Sequence, residues 1–284
     1  MTVNLYTVLG SLPKNNGVEG GGQQTICDVV RNLQNIGHSV HVCIPDTTWL
    51  EPSKSDFNIL FDPFNDPTAS QWFTSSQIND IVNSRPYLYM DCAMTSCTTK
   101  PYGIIEFDEN GAIYDYDSDL IKFTRRLMVE ATSLVLGSPL HQSEFEKFIG
   151  HDLKNVYLYP REVDADLFTN QNGVRDIEYL YTGSFNLYKG VDIITREYPN
   201  IQIVSDVAHK DLPSLYNRAK NFVHKPRCKE SFCRTVAEAS LCGCNIIGND
   251  NIGALSYNTD LSNPDFYKQS GLNFQTMIKD RFNS

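Results

Sequence analysis

Lys229-Glu230-Ser231-Phe232-Cys233-Arg234-Thr235-Val236-Ala237-Glu238-Ala239-Ser240-Leu241-Cys242-Gly243-Cys244-Asn245-Ile246-Ile247 is the stretch whose reading decides the fold. It places Glu230 in a loop and Glu238 eight positions on, within a predicted helix. A small Cys-Gly-Cys turn follows, and then an apolar run. Loop, helix and strand in that order make half of a βαβ crossover, whose helix N-terminus can receive an anion.

Working upstream, the same alternation recurs. Asn221 to His224 reads as a strand, Leu212 to Lys220 as a helix and Ile201 to Val204 as a strand. Lys189-Gly190 opens a helix through Arg196, and Tyr179 to Tyr181 is a strand followed by a loop holding Gly183. The polar segment from Pro160 to Gly173 makes the best boundary between two units. Before it, Val3 to Leu9 reads as a strand, and Gly10 to Gly22 as a loop with the triplet Gly20-Gly21-Gly22. Ile26, Val29, Val30, Leu33 and Ile36 have helical spacing that ends at Gly37, and Val40, Val42 and Ile44 alternate as a strand. Phe57 to Phe61 and Tyr87 to Met90 are further strands, separated by a helix near Ser76 to Ser84. The second of these strands delivers Asp91 to its C-terminal end, where parallel sheets present side chains to a crevice; the competing reading is a turn or cap residue. Asp108-Glu109-Asn110-Gly111 signals a hairpin, Asp117 to Ala131 a helix capped by Asp117 or Ser118, and Leu134 to Leu136 a strand. Pro139 to Ile149 is a helix and Val156 to Tyr159 a strand. Strands alternating with helices through both halves predict two parallel-sheet domains, residues 1–160 and 161–264. Helical pieces in 265–284 are placed to pack back across the first.

The 284 residues contain no apolar run approaching the ~18–20 needed to span a bilayer, and the expectation is a cytoplasmic protein. Eight cysteines occur, none in a CxxC pair, which predicts free thiols and no metal site. Residues 1–160 carry 10 Lys and Arg against 19 Asp and Glu, a poor match to a nucleic acid or an anionic membrane. Lys225, Arg227, Lys229 and Arg234 cluster around Glu230, a local positive charge suited to a nucleoside diphosphate or merely to a solvated loop.

Together these pieces resemble the retaining glycosyltransferases of family 4, which have the GT-B fold of two Rossmann-like domains facing a cleft. Gly20-Gly21 and then Gly37-His38-Ser39-Val40 are similar to that family's glycine pair and Gly-His-x-Val. Pro160-Arg161-Glu162-Val163-Asp164, ending in Leu167-Phe168, resembles its Pro-Asn-Gly-Val-Asp…Phe linker. Thr182-Gly183 with Lys189-Gly190 resembles Gly-Arg…Lys-Gly, and Glu230 to Glu238 has the Glu-x7-Glu spacing. The resemblance implies transfer of a sugar from a nucleotide-diphosphate sugar to a hydroxyl acceptor, which the sequence leaves open among glycans, lipids, small molecules and modified DNA bases. It implies no required cofactor. Glu238 would bind the ribose hydroxyls, Glu230 the sugar hydroxyls and Lys189 the diphosphate. Gly20, Gly21, Gly183, Ser184, Phe232 and the amides of Cys233, Arg234 and Thr235 would complete the donor site, with Glu230, Lys189 and Asp91 at the reaction centre. Three departures stand out: Ser184 replaces an Arg, Ser231 and Cys233 replace glycines, and Asp91 lies near where many members have a His. Arg234 or Lys229 would have to substitute for the missing cation. These departures also keep open a catalytically silent sugar-nucleotide-binding protein on the same fold.

Overall fold

The structure, a computed structural model, describes residues 1–7, 21–44, 48–61, 73–92, 107–108, 111–112, 119–185 and 187–282. The first half builds β1 (Thr2–Thr7), α1 (Gly21–Asn35), β2 (Ser39–Cys43), β3 (Phe57–Phe61), α2 (Ser75–Ser84) and β4 (Tyr87–Met90). A short antiparallel pair follows, β5 (Phe107–Asp108) and β6 (Gly111–Ala112). Next come α3 (Asp119–Glu130), β7 (Ser133–Leu136), α4 (Pro139–Ile149) and β8 (Val156–Leu158). The second half continues with β9 (Ile177–Thr182), α5 (Val191–Glu197), β10 (Gln202–Val204), α6 (Leu212–Arg218), β11 (Ala219–Val223), α7 (Arg234–Leu241), β12 (Asn245–Ile247) and α8 (Pro264–Phe282).

Two all-parallel sheets result. The first has the order β2-β1-β3-β4-β7-β8, and the second β10-β9-β11-β12. Burial on both faces explains why β4 reads as an unbroken apolar run, and β3 as one interrupted only by the buried, hydrogen-bonded Asn58, instead of alternating ones. In each sheet the chain first steps to one side and then returns to the other. The reversal falls between β1 and β3, and again between β9 and β11. Parallel sheets bind ligands at such points, beyond the C-terminal ends of the strands. At the second reversal those ends are Thr182 and Val223, which lead into the loops carrying Lys189 and Glu230.

The helices dock on these sheets through apolar stripes. Ile26, Val29 and Leu33 of α1 pack with Val3, Leu5 and Ile59. Val236, Ala237 and Ala239 of α7 pack with Leu180 and Phe222. Two local differences from the sequence reading have clear causes. The helix expected to run to Lys220 stops at Arg218, because fully buried Ala219 already pairs with Ile177 as the first residue of β11. The C-terminal pieces join into the single 19-residue α8. Its Tyr267 belongs to the apolar cluster of the second sheet, and Phe274, Met277 and Ile278 to that of the first. Among the described residues no helix is long and apolar enough to cross a membrane, and seven cysteines are free. The expected caps Asp117 and Ser118 lie outside the described residues.

Candidate active site

The loop after β9 turns through a 3₁₀ segment, Leu187–Lys189, into α5. Gly190 follows with φ of 70°, and a Cβ there would collide with the carbonyl oxygen of Lys225. Only glycine fits this approach, which pins Lys189 beside the loop after β11. From that second loop come His224, buried at 2% exposure, and Glu230, buried at 7%. Lys189 Nζ stands 2.6 Å from Glu230 Oε1, and His224 Nε2 stands 3.1 Å from Oε2. Neither Lys229 nor Arg234, the cations nearest to Glu230 in sequence, is its partner; Lys189 and His224 are.

Burial opposes ionisation of Glu230. The charges of Lys189 and His224, with hydrogen bonds from His224 and Cys233, outweigh it and hold the carboxyl well below the usual range. Burial would likewise lower His224, but Cys233 and Glu230 raise it above the ordinary imidazole value. The ligand atoms of His224, Glu230 and Cys233 all lie within 4.8 Å of one another, so nitrogen, oxygen and sulfur donors converge here. This is the cluster in which a metal ion could be held, and the sequence reading missed it because His224 carries no motif signal.

Cys233 caps α7 at φ 80°, a left-handed conformation that L-residues other than Asn and Asp seldom adopt. It stands where the resemblance expects glycine, and the backbone keeps the glycine-like conformation despite the side chain. One turn into α7, Glu238 is 2% exposed and its Oε1 lies 2.9 Å from His209 Nε2. The His209 ring packs on Phe168 with centroids 5.0 Å apart.

A cavity of about 270 Å³ joins Lys189, Glu230, Cys233, Glu238 and His209, with His224 behind Glu230 and not among the lining residues. Lys189, Glu230, Phe232, Cys233, Arg234, Thr235 and Glu238 line it from the second half, and Gln24, Thr25 and Cys92 from the first. Seven of the residues expected at the donor are therefore brought together. Ser184 is exposed and is not among those lining residues, and Gly183 turns with φ of 145° under the Tyr181 hydroxyl. Gly21 opens α1, whereas Gly20 lies outside the described residues.

Asp91, expected at the reaction centre, is placed apart from the residues that line the cavity. It is fully buried, does not line the cavity, and directs Oδ1 to His141 Nε2 at 3.1 Å. The amide of Gly137 donates to His141 Nδ1 at 3.0 Å, which places the imidazole proton on Nε2, facing the carboxylate. Burial, opposed by Asp91, keeps this imidazole below its ordinary value. Asp91 thus braces α4 against the end of β4, because a carboxylate at 0% exposure needs a protein donor.

The basic cluster around Glu230 is also committed elsewhere. Lys225 pairs with Glu197, Arg227 with Asp192, Lys229 with Glu144 and Arg234 with Asp28 of α1. These partners lie far away in sequence, which is why local charge counting overstated the free positive charge. A cation that the sequence reading passed over is Arg161, in the segment after β8. It lines the cavity at only 3% exposure.

No protein-family model and no curated protein matches the chain. Solved structures do. Sucrose-phosphate synthase from Thermosynechococcus elongatus superposes with a TM-score of 0.61 at 13% identity, covering 99% of this chain and 94% of that one. Anabaena HepE in complex with UDP gives 0.57 at 14%, with 99% and 96% covered. An α-glucosyltransferase in complex with UDP and a 13-mer DNA containing an HMU base gives 0.51 at 10%, with 99% and 95% covered. At such identities the likeness shows the fold: an α/β arrangement of parallel sheets shared with glycosyltransferases over the full chain.

Proposed function

We propose that the chain is a retaining glycosyltransferase of the family 4 type, which takes its sugar from a nucleotide-diphosphate donor. On this reading residues 1–160 and 161–264 are the two Rossmann-like domains of a GT-B enzyme, and 265–284 ties the second back to the first. The observation that carries it is the convergence of Glu230 and Glu238, both buried, with Lys189 and the N-terminus of α7 on one cavity. UDP and UDP-glucose complexes of HepE support a donor of this class.

In this reading Glu238 accepts hydrogen bonds from the vicinal ribose hydroxyls, and Glu230 accepts them from hydroxyls of the transferred sugar. Lys189 leaves Glu230 for the diphosphate, which the amides of Arg234 and Thr235 also face. The anomeric carbon–phosphate oxygen bond breaks as the acceptor oxygen bonds to that carbon from the same face. The acceptor proton passes to the departing phosphate. The protein's contribution is to fix the acceptor's position and to stabilise charge on the leaving group. Glycans, lipids, small molecules and modified DNA bases are the acceptors to assay; the acidic first half disfavours a polyanion.

The test is donor hydrolysis or transfer by the wild type, Glu238→Ala and Lys189→Ala. A sharp loss in both variants is expected, and normal turnover in both would overturn the assignment. The side chain of Cys233 at a glycine position favours a second reading, a sugar-nucleotide binder without turnover. Donor binding with neither transfer nor hydrolysis across a broad acceptor panel would select it.

A further inference from the structure

We infer that Arg161 binds an anionic oxygen of the donor, on the diphosphate or on a carboxylate carried by the sugar. This rests on the cavity being a nucleotide-sugar site. Buried charges in folded proteins are normally paired, because an uncompensated one costs several kcal/mol. Arg161 is 3% exposed, yet no carboxylate lies within ion-pair distance of it among the described residues. Its Nη2 donates to the main-chain oxygen of Asp91 at 2.8 Å, and its guanidinium carbon sits 5.6 Å over the Tyr159 ring. Among the described residues Nη1 has no hydrogen-bond partner. The nearest acid in sequence, Glu162, is taken up by Tyr159 and Asn32, and the Asp91 carboxylate faces His141.

The position supplies the rest of the argument. Arg161 lines the same cavity as Lys189, Glu230, Ser231 and Cys92. Ser184 leaves the diphosphate one cation short, and neither proposed substitute is at hand: Lys229 is paired with Glu144, and Arg234 with Asp28. Arg161 occupies the place of an Asn in the linker pattern that this segment resembles. The exchange adds a permanent charge whose planar fork matches phosphate and carboxylate alike. A neutral sugar hydroxyl compensates a buried guanidinium far less well than an anion does.

Isothermal titration of uridine, UDP, UDP-glucose and UDP-glucuronic acid into the wild type, Arg161→Gln and Arg161→Lys tests the assignment. A diphosphate contact predicts that Arg161→Gln weakens UDP and UDP-glucose about 10- to 100-fold while uridine binds unchanged, with Arg161→Lys intermediate. A sugar-carboxylate contact predicts the same loss for UDP-glucuronic acid alone. Equal affinities in the wild type and Arg161→Gln would overturn the assignment. So would a uniform loss that includes uridine, the mark of a structural role. A wild type that binds none of the four would overturn a uridine-nucleotide donor and this inference with it. Intact wild-type binding with no loss in the variants would overturn only the role of Arg161.

Discussion

Lys189 Nζ lies 2.6 Å from Oε1 of Glu230, so the cation assigned to the diphosphate is held by the carboxylate assigned to the sugar. The two residues therefore should fail differently. Lys189→Ala is expected to weaken nucleoside diphosphate binding by roughly 10- to 100-fold, the worth of one charged hydrogen bond. Glu230→Gln frees Lys189, and should leave that binding intact or tighter while transfer falls at least about 100-fold. Titration calorimetry and single-turnover assays on both variants separate the roles. Equal losses of binding in the two would contradict them.

Asp91 is expected to act through stability. Asp91→Ala leaves the Nε2 proton of His141 facing a void and should lower unfolding free energy by about 1–3 kcal/mol. Asp91→Asn, which keeps an acceptor oxygen, should recover most of that loss. Urea unfolding measures both, and the folded Asn variant should turn over donor at the wild-type rate. A folded but inactive Asp91→Asn would return Asp91 to the chemistry.

Cys233 holds φ 80°, where a Cβ is strained by about 1 kcal/mol. Cys233→Gly is expected to raise stability by about that amount and to open the backbone at the start of α7 to the donor. Thermal unfolding and donor affinity should therefore improve together. A marked loss of stability would show instead that the thiol's place beside His224 and Glu230 outweighs the strain.

The buried histidines predict opposite pH limbs. His224 is raised by its neighbours Cys233 and Glu230, so its stabilisation is complete below pH 6.5 and is lost as pH climbs toward about 10. His141 is lowered by burial, so stability falls as pH drops below 6.5 and the unfolded chain takes up the proton first. Unfolding midpoints measured across this range should show a maximum. His224→Gln should flatten the alkaline limb while leaving the acid limb in place. An unchanged alkaline limb would sink this account of His224.

Much of the frame was legible because parallel sheets buried on both faces write themselves as apolar runs, as in Tyr87–Met90 and, but for Asn58, in Phe57–Phe61. The spacing of Glu230 and Glu238 was legible for the same local reason, a loop followed by one short helix. What escaped was set by contacts distant in sequence. The cations near Glu230 found partners on α1, α4 and α5, and Asp91 turned inward to a histidine 50 positions away. His209 and His224 sit in no motif and Arg161 departs from the one it sits in; only the fold sets His224 beside Glu230 and brings His209 and Arg161 to the cavity. The end of α6 was misjudged because Ala219 suits a helix locally but is claimed by its neighbour strand.

The most direct measurement is a thermal-shift titration of nucleoside diphosphate sugars against the wild type and Glu238→Ala. A bound donor stabilises the native state by about 2.7 kcal/mol at a hundred times its dissociation constant. At least one donor should raise the wild-type melting temperature by several degrees, with that shift abolished or strongly reduced in Glu238→Ala. No shift of the wild type by any donor at millimolar concentration, or an equal shift in both proteins, would contradict the account.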